Sequence, residues 1–458
     1  MVPESGRLAI SDQCRGIRRN NDENSRNFFW HVGAGYRIYN FRRLWDLGYL
    51  VAHHPCAAMT PPAMNKMIVV AGVVVIEIAM AIALIPWTDQ SRVKNTDFLN
   101  FYAAATLVRQ GDGQALYRAD TASTVYEAIL GHKTSWYFLH PPFEAAALVP
   151  LSYVSVGRAF TLWTLMNLAL VGAMPLLLAD CVSFLAAKPY LGLTAFIFPP
   201  VVTCLALGQD SIVILFVITA AYLLYRKNRE VAAGLVLALA SIKFQYVLIF
   251  AILLFFSRKF RFLSGLIAGG TVLILFSLTI VGFRGMSEYF KFMQEFALHI
   301  RPDLMVNCRG FLTGTGWVNH VGFYSTAASV LFIVAAILCA RYSLRTKTGT
   351  SSLLFSLFVA AAFIASPYAH FADASMLLLP MSLAFGDRRD WKIAEKLIAV
   401  SSALMFGTPL VLMSFGGHYW WNSRIYWMFP VILLFTAGVA LALLEQRGPR
   451  FSHPSENL

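Results

Sequence analysis

Charge is scarce in this chain: Asp, Glu, Lys and Arg supply 13% of its 458 residues, about half the usual share in soluble domains. Apolar residues supply 58% and aromatic ones 14%. That balance excludes a water-soluble globular fold and a disordered chain alike. Acidic residues are the scarcer sign, 24 against 37 Lys and Arg. The surplus basic residues sit in short clusters between apolar runs rather than along one face, so the net charge of +13 marks membrane topology and not a nucleic-acid surface. Cysteines are few and unpaired in pattern. Cys14, Cys56, Cys181, Cys204, Cys308 and Cys339 form no CxxC pair, which excludes a disulfide frame and a cysteine metal site. No Walker loop, GxGxxG, HExxH or internal repeat is present, so nucleotide-driven or zinc chemistry has no support and neither nucleic acid nor metal is expected.

What is present is a series of apolar runs. Residues 1–66 are polar, rich in Arg and Asn, and read as a poorly ordered cytoplasmic tail. Met64 and Met67 are alternative start sites, which peptide mapping of the native N-terminus tests. Met67 to Trp87 is long enough for about 30 Å of hydrocarbon and is expected to be a retained first span. Further spans are expected near residues 159–179, 190–207, 211–225, 262–283, 323–340, 351–366, 373–385, 397–414 and 425–444. The membrane domain runs from 67 to 445, and residues 446–458 form a second cytoplasmic tail.

Sidedness follows from the basic clusters Arg226 to Arg229, Arg258 to Arg261, Arg341 to Lys347, Arg388 to Lys396 and Arg447 to Arg450, which mark the cytoplasmic side. The connectors 88–140, 284–322, 366–373 and 415–424 then face outward. Parity constrains two segments. Counting residues 140–156 as a span would put the Arg226 cluster outside, so the run opening Pro141-Pro142 and containing Glu144 reads as a re-entrant helix shielded by protein. Together with the first connector it makes residues 88–158 an outward loop with juxtamembrane helices. Residues 231–256 lie between two inward clusters and must go out and return, with Ser241 to Gln245 at the tip. Each arm is too short for an ordinary crossing. The fold class is therefore all-α integral membrane, with about 12 membrane helices including this short broken pair. Gly265 and Gly269 form a GxxxG step, which predicts close helix packing.

Several polar residues in this apolar chain draw attention. Asp97, Asn100, Phe101 and Ala104 share one face of a helix in the outward loop. A carboxylate beside the bilayer serves as general base if burial raises its pKa, and serves equally as a helix N-cap. His140 sits at the outer interface, either meeting a lipid phosphate or satisfied by water. Lys243 is an ammonium in an apolar run, costly unless paired, and so reads as functional; snorkelling or an ion pair with Glu77 is the alternative. Gln209-Asp210 and Tyr368-Ala369-His370 with Asp373 complete a ring of outward polar groups. Arg158, at the outer start of a span, either holds a phosphate or anchors the interface. The aromatics His418 to Trp421 read as a membrane-interface belt or a sugar-stacking surface.

Taken in order, Asp97-Phe98 with Tyr102-Ala103-Ala104, Gly111 and Leu116-Tyr117; His140-Pro141-Pro142 with Pro150-Leu151; Gly208-Gln209; Ala233-Gly234 leading to Lys243; and Ser366-Pro367 with His370 resemble glycosyltransferase family 87. The resemblance spans residues 67 to 445. It departs from the family pattern where Phe244 follows the lysine in place of a common proline, where Asp210-Ser211 follow Gly-Gln in place of an Asn, and where no aromatic directly precedes His370.

The resemblance implies a GT-C fold in the plasma (inner) membrane, with both termini cytoplasmic and the active site outside. It implies a hexosyltransferase, related to α-mannosyltransferases, that moves a sugar from a polyprenyl phosphate to a glycan or glycolipid acceptor. No cofactor is expected beyond the lipid-linked donor, and membrane lipid is the other partner. The implied base is Asp97. Lys243, with His140, Arg158 or His370, would balance the leaving phosphate. Gln209 and Asn100 would orient sugar hydroxyls, and Tyr102 and Asp210 belong to the same candidate binding set. The rival classes are a polytopic transporter or lipid flippase, which also uses intramembrane charge, and a silent assembly subunit. Labelled polyprenyl-phosphate sugars separate them, because only the transferase yields a glycosylated product.

Overall fold

The computed structural model describes residues 96–130, 138–187, 189–296, 302–346, 351–386, 392–415 and 424–445, with Gly72, Val75 and Val93 besides. These belong to one compact unit, Pro61–Leu458. Apart from Gly72 and Val75, the first apolar run with Glu77 lies outside the described residues. So do the tails 1–66 and 446–458 and the aromatics at 418–421. The described chain is helical. Its one extended pairing is an antiparallel bridge between Met305 and His370. A helix satisfies every backbone amide within its own segment, which hydrocarbon demands.

In chain order the helices are α1 Phe98–Arg109, α2 Ala119–Leu130, α3 Pro142–Ala147, α4 Val156–Leu178, α5 Ser183–Ala187, α6 Pro199–Leu207, α7 Ser211–Arg226 and α8 Glu230–Ala238. They continue with α9 Phe244–Phe256, α10 Phe260–Phe296, α11 Cys308–Thr315, α12 Val321–Thr346, α13 Ser351–Ala365, α14 Leu378–Gly386, α15 Lys392–Phe415 and α16 Met428–Glu445. By length and composition, five of the described helical segments are fit to cross a membrane: Val156–Leu178, Glu230–Phe256, Phe260–Glu295, Val321–Thr346 and Ile425–Glu445. A sixth forms if Tyr190–Ile197 and Pro199–Leu207, bent by 55°, act as one span. Three further apolar helices, Ser211–Arg226, Ser351–Ala365 and Ala372–Gly386, fall short of a full crossing by length.

Glu230–Phe256 does not run straight through, because its two ends lie together. Drawn straight it would be about 40 Å long, with Glu230 far from the start of α10. Instead Lys259 Nζ is 3.5 Å from Glu230 Oε1. The α8 backbone also packs on the first turns of α10, where a Cβ on Gly265 would fall 2.0 Å from the Val231 carbonyl oxygen. The segment therefore goes up as α8, turns through one stretch of 3₁₀ helix at Leu239–Lys243, and returns as α9. Lys243 sits at that tip. The segment opening at Pro141 is likewise no crossing: α3 has six residues and passes into a 3₁₀ turn, Val149–Tyr153, before α4 begins.

α10 is broken at Gly282, whose φ of 66° and ψ of 178° are not helical. The break falls where the sequence pattern ends the span. Beyond it, α10 meets the connector that carries α1, α2 and α3. These short helices share one apolar cluster with the head of α4, built on Phe98, Phe101, Phe160 and Trp163 and closed by Val281 and Tyr289. A second, larger cluster fills the bundle beneath. The site lies where the two meet.

The GxxxG pair does what its spacing predicts: Gly265 faces Val231, and a Cβ on Gly269 would come within 2.6 Å of Ala238 Cβ. Reciprocally, a Cβ on Gly234 would lie 2.2 Å from the Phe262 carbonyl oxygen. Three glycines thus let two backbones touch and hold the hairpin tip at fixed height. Gly265→Val should force α8 away from α10 and lower stability in detergent by about 1–3 kcal/mol. Gly270→Val, at a position with nothing within 4 Å, should unfold at the wild-type temperature. Equal melting of both variants would refute the packing.

Candidate active site

Asp97 stands immediately before α1, in the N-cap position, yet its side chain makes no capping bond. Its carboxylate points elsewhere: Gln209 Nε2 donates to Asp97 Oδ2 at 2.6 Å. Among the described residues nothing donates to Oδ1. The capping role open to this residue is therefore not the one its carboxylate takes.

Gln209 is delivered to Asp97 by the residue before it. Gly208 ends α6 in the left-handed region, φ 67°, which favours glycine. A Cβ there would also lie 2.6 Å from Phe98 Cβ and 2.8 Å from the Phe160 ring. Trp163 Nε1 donates to the Gly208 carbonyl at 2.9 Å, so the corner is pinned from α4. The other end of the Gln209 amide accepts from Lys243 Nζ at 3.5 Å. A carboxylate on one side and an ammonium on the other fix which end of the amide faces which.

Lys243 is 9% exposed and its ammonium is surrounded by acceptors. It lies 2.7 Å from Asp210 Oδ1, donates to Ser211 Oγ at 2.8 Å, and pairs with Asp373 Oδ1. Ser211 Oγ donates to the same Asp373 oxygen at 2.6 Å. Asp373 Oδ2 accepts from Tyr246 at 3.0 Å and from the His370 backbone N–H at 3.0 Å. Two buried carboxylates thus flank one buried ammonium. Glu77, the acid within the first apolar run, lies outside the described residues.

On the far side of Asp210, His140 Nδ1 lies 3.3 Å from Asp210 Oδ2 and 2.8 Å from Glu144 Oε2. The imidazole packs edge-on against Phe101, ring centres 5.0 Å apart, and Tyr117 donates to the His140 carbonyl at 2.6 Å. Burial alone would discharge this imidazole, but the Glu144 and Asp210 carboxylates outweigh it and raise its pKa from 6.5 to about 10. Both carboxylates thus favour the protonated imidazole.

The His140 Nδ1 and one carboxylate oxygen each of Glu144 and Asp210 lie within 4.8 Å of one another, close enough to hold a metal ion. Those oxygens are already paired with His140 and the Lys243 ammonium. A cation entering here would have to displace a proton or part the Lys243 pair.

The other expected residues stand apart from this array. Asn100 accepts from Tyr126 at 2.6 Å, tying α1 to α2. Tyr102 donates to the Val154 carbonyl at 2.8 Å, fastening α1 to the turn before α4. Arg158 is exposed on the first turn of α4. The His370 side chain is exposed too, and the residue joins the array through its backbone N–H. Three members carry no site signal of their own in the sequence: Glu144 one turn beyond His140, Ser211 directly after Asp210, and Tyr246 three residues beyond Lys243. Asp373, three beyond His370, stands in the outward polar ring but has no partner assigned there. Helical spacing is the signal that connects Glu144, Tyr246 and Asp373, but only from a partner already chosen, and Ser211 has only its adjacency to Asp210.

The sequence pattern described as glycosyltransferase family 87 matches residues 138–367, half of the chain. No curated protein and no solved structure matches it. The matched stretch holds His140, Glu144, Gln209, Asp210, Lys243 and Tyr246; Asp97 and Asp373 lie to either side.

Because the folded pKa of His140 is raised, the stability it contributes is fully present below about pH 6.5 and declines as pH rises toward about 10. The difference in melting temperature between wild type and His140→Gln should therefore be largest in mild acid and shrink steadily across pH 7–10. A difference that grows with pH would refute the imidazolium.

Proposed function

This chain belongs to glycosyltransferase family 87, and from that membership we propose that it transfers a hexose, mannose foremost, from a polyprenyl phosphate to an acceptor hydroxyl. The reading places the reaction outside the cytoplasm, in a GT-C bundle of about 12 spans within the plasma membrane. Asp97 is the general base. The observation that carries this role is its carboxylate, free of any cap bond and oriented through Oδ2 by Gln209, with Oδ1 left for a reactant.

In the reaction, Asp97 Oδ1 takes the proton of the acceptor hydroxyl as its oxygen forms a bond to the anomeric carbon. The bond from that carbon to the donor phosphate breaks, its electron pair stays with the phosphate oxygen, and the configuration inverts. A diester monoanion leaves as a monoester dianion. Protonated Asp97 then returns its proton to water. Gln209 keeps the base aimed, and Lys243 keeps Gln209 aimed in turn. Lys243 itself is held between Asp210 and Asp373, so its part here is positioning.

Purified full-length protein supplied with labelled polyprenyl-phosphate hexoses should release labelled product with one sugar preferred. Asp97→Asn should lower kcat by about 10²–10⁴-fold, the usual worth of a general base, with the donor KM near the wild-type value. Retained turnover would remove Asp97 as the base.

A further inference from the structure

We propose that Arg309 receives the phosphate of the lipid-linked donor, an assignment that rests on the donor class given above. Within the array, Lys243 is matched by Asp210 and Asp373, and His140 by Glu144 and Asp210. A phosphate that gains charge as it leaves needs a cation not already matched by carboxylates.

Of the described cations in the outward connectors, Arg118, Lys291 and Arg424 are exposed, and three more are engaged or stand apart. Arg109 donates to the Ser152 carbonyl at 2.6 Å and lies over the Tyr153 ring. Arg284 pairs with Glu288 at 3.3 Å on the far side of the Gly282 break. Arg158 is exposed and touches no member of the array.

Arg309 differs from all three. It is half-buried on the first turn of α11, and its guanidinium carbon stands 5.3 Å over the Tyr368 ring. Among the described residues no carboxylate pairs with it. Stacking on an aromatic face leaves the edge of the guanidinium free, and that edge carries the forked N–H donors that fit a phosphate.

The backbone carries Arg309 to the site. Met305 pairs with His370, Val306 N–H donates to the Ala369 carbonyl at 2.8 Å, and Asn307 Nδ2 donates to the Ser366 carbonyl at 2.7 Å. Asn307 also caps α11 through the Gly310 N–H at 3.0 Å, which sets the direction of the turn bearing Arg309. The loop so held, residues 366–370, is the one whose Tyr368 carbonyl accepts from Tyr246 at 3.2 Å and whose His370 N–H binds Asp373. Arg309, stacked on Tyr368, and Lys243, paired with Asp373, are thus tied to the same loop.

The test is binding of farnesyl phosphate, against farnesol as control, to the full chain in detergent, read by intrinsic fluorescence. Wild type should prefer the phosphate. Arg309→Ala should lose about tenfold or more of that preference, the worth of a charge-assisted hydrogen bond. Arg309→Lys should keep part of it and Asp97→Asn all of it. Arg309→Gln, which retains a planar group for the Tyr368 stack, guards against misfolding, with melting temperature as the check; it should lose the preference while melting as wild type does. An undiminished preference in folded Arg309→Gln would overturn the assignment alone. No preference in wild type would overturn the donor class and Arg309 with it. Equal displacement by inorganic phosphate would reduce the site to a general anion site and overturn the assignment to the donor.

Discussion

Much of this structure depends on how one ammonium is kept out of water. Lys243 sits at the tip of a hairpin inside an apolar bundle, where an unpaired charge is too costly to persist. Its counter-charges come from two distant parts of the chain, Asp210 at the head of α7 and Asp373 after the 366–370 loop. Burying the lysine therefore forces three segments to converge. The convergence also positions Gln209 and, through it, Asp97.

The supporting contacts are steric. Gly234, Gly265 and Gly269 let α8 and α10 meet at backbone distance, which sets the height of the tip. Gly208 turns the chain sharply between Phe98 and Phe160, so that Gln209 emerges beside the head of α1. Each set decides where a polar side chain of the array stands, Lys243 at the tip and Gln209 after Gly208, and a shift of about 1 Å is enough to matter for catalysis.

Electrostatically the site is divided. In its interior each charge has a partner, with the Glu144, Asp210 and Asp373 carboxylates set against Lys243 and His140. Among the described residues, Asp97 Oδ1 is left without a donor and the Arg309 guanidinium without a carboxylate. A matched interior resists rearrangement as charge moves during the reaction, which is how a preorganised site lowers a barrier.

The residues alone indicated the helical membrane class, the absence of a straight crossing at Pro141 and the returning pair at 231–256, and they drew attention to Asp97, Gln209 and Lys243. Each of these is a local property, a matter of apolar run length, charge placement or a polar group in the wrong solvent, and period and composition report such things directly. Partnership was not legible in that way. Asp210-Ser211, a departure from the family pattern, hold the lysine; Asp97, equally fit to cap its helix, is turned to Gln209 instead; Tyr102 and Asn100 fasten α1 rather than join the array. Within the site, hydrogen bonds between residues as far as 162 positions apart have no period in the sequence. Only the packing of α7, the hairpin and the 366–373 loop against one another decided which charge meets which.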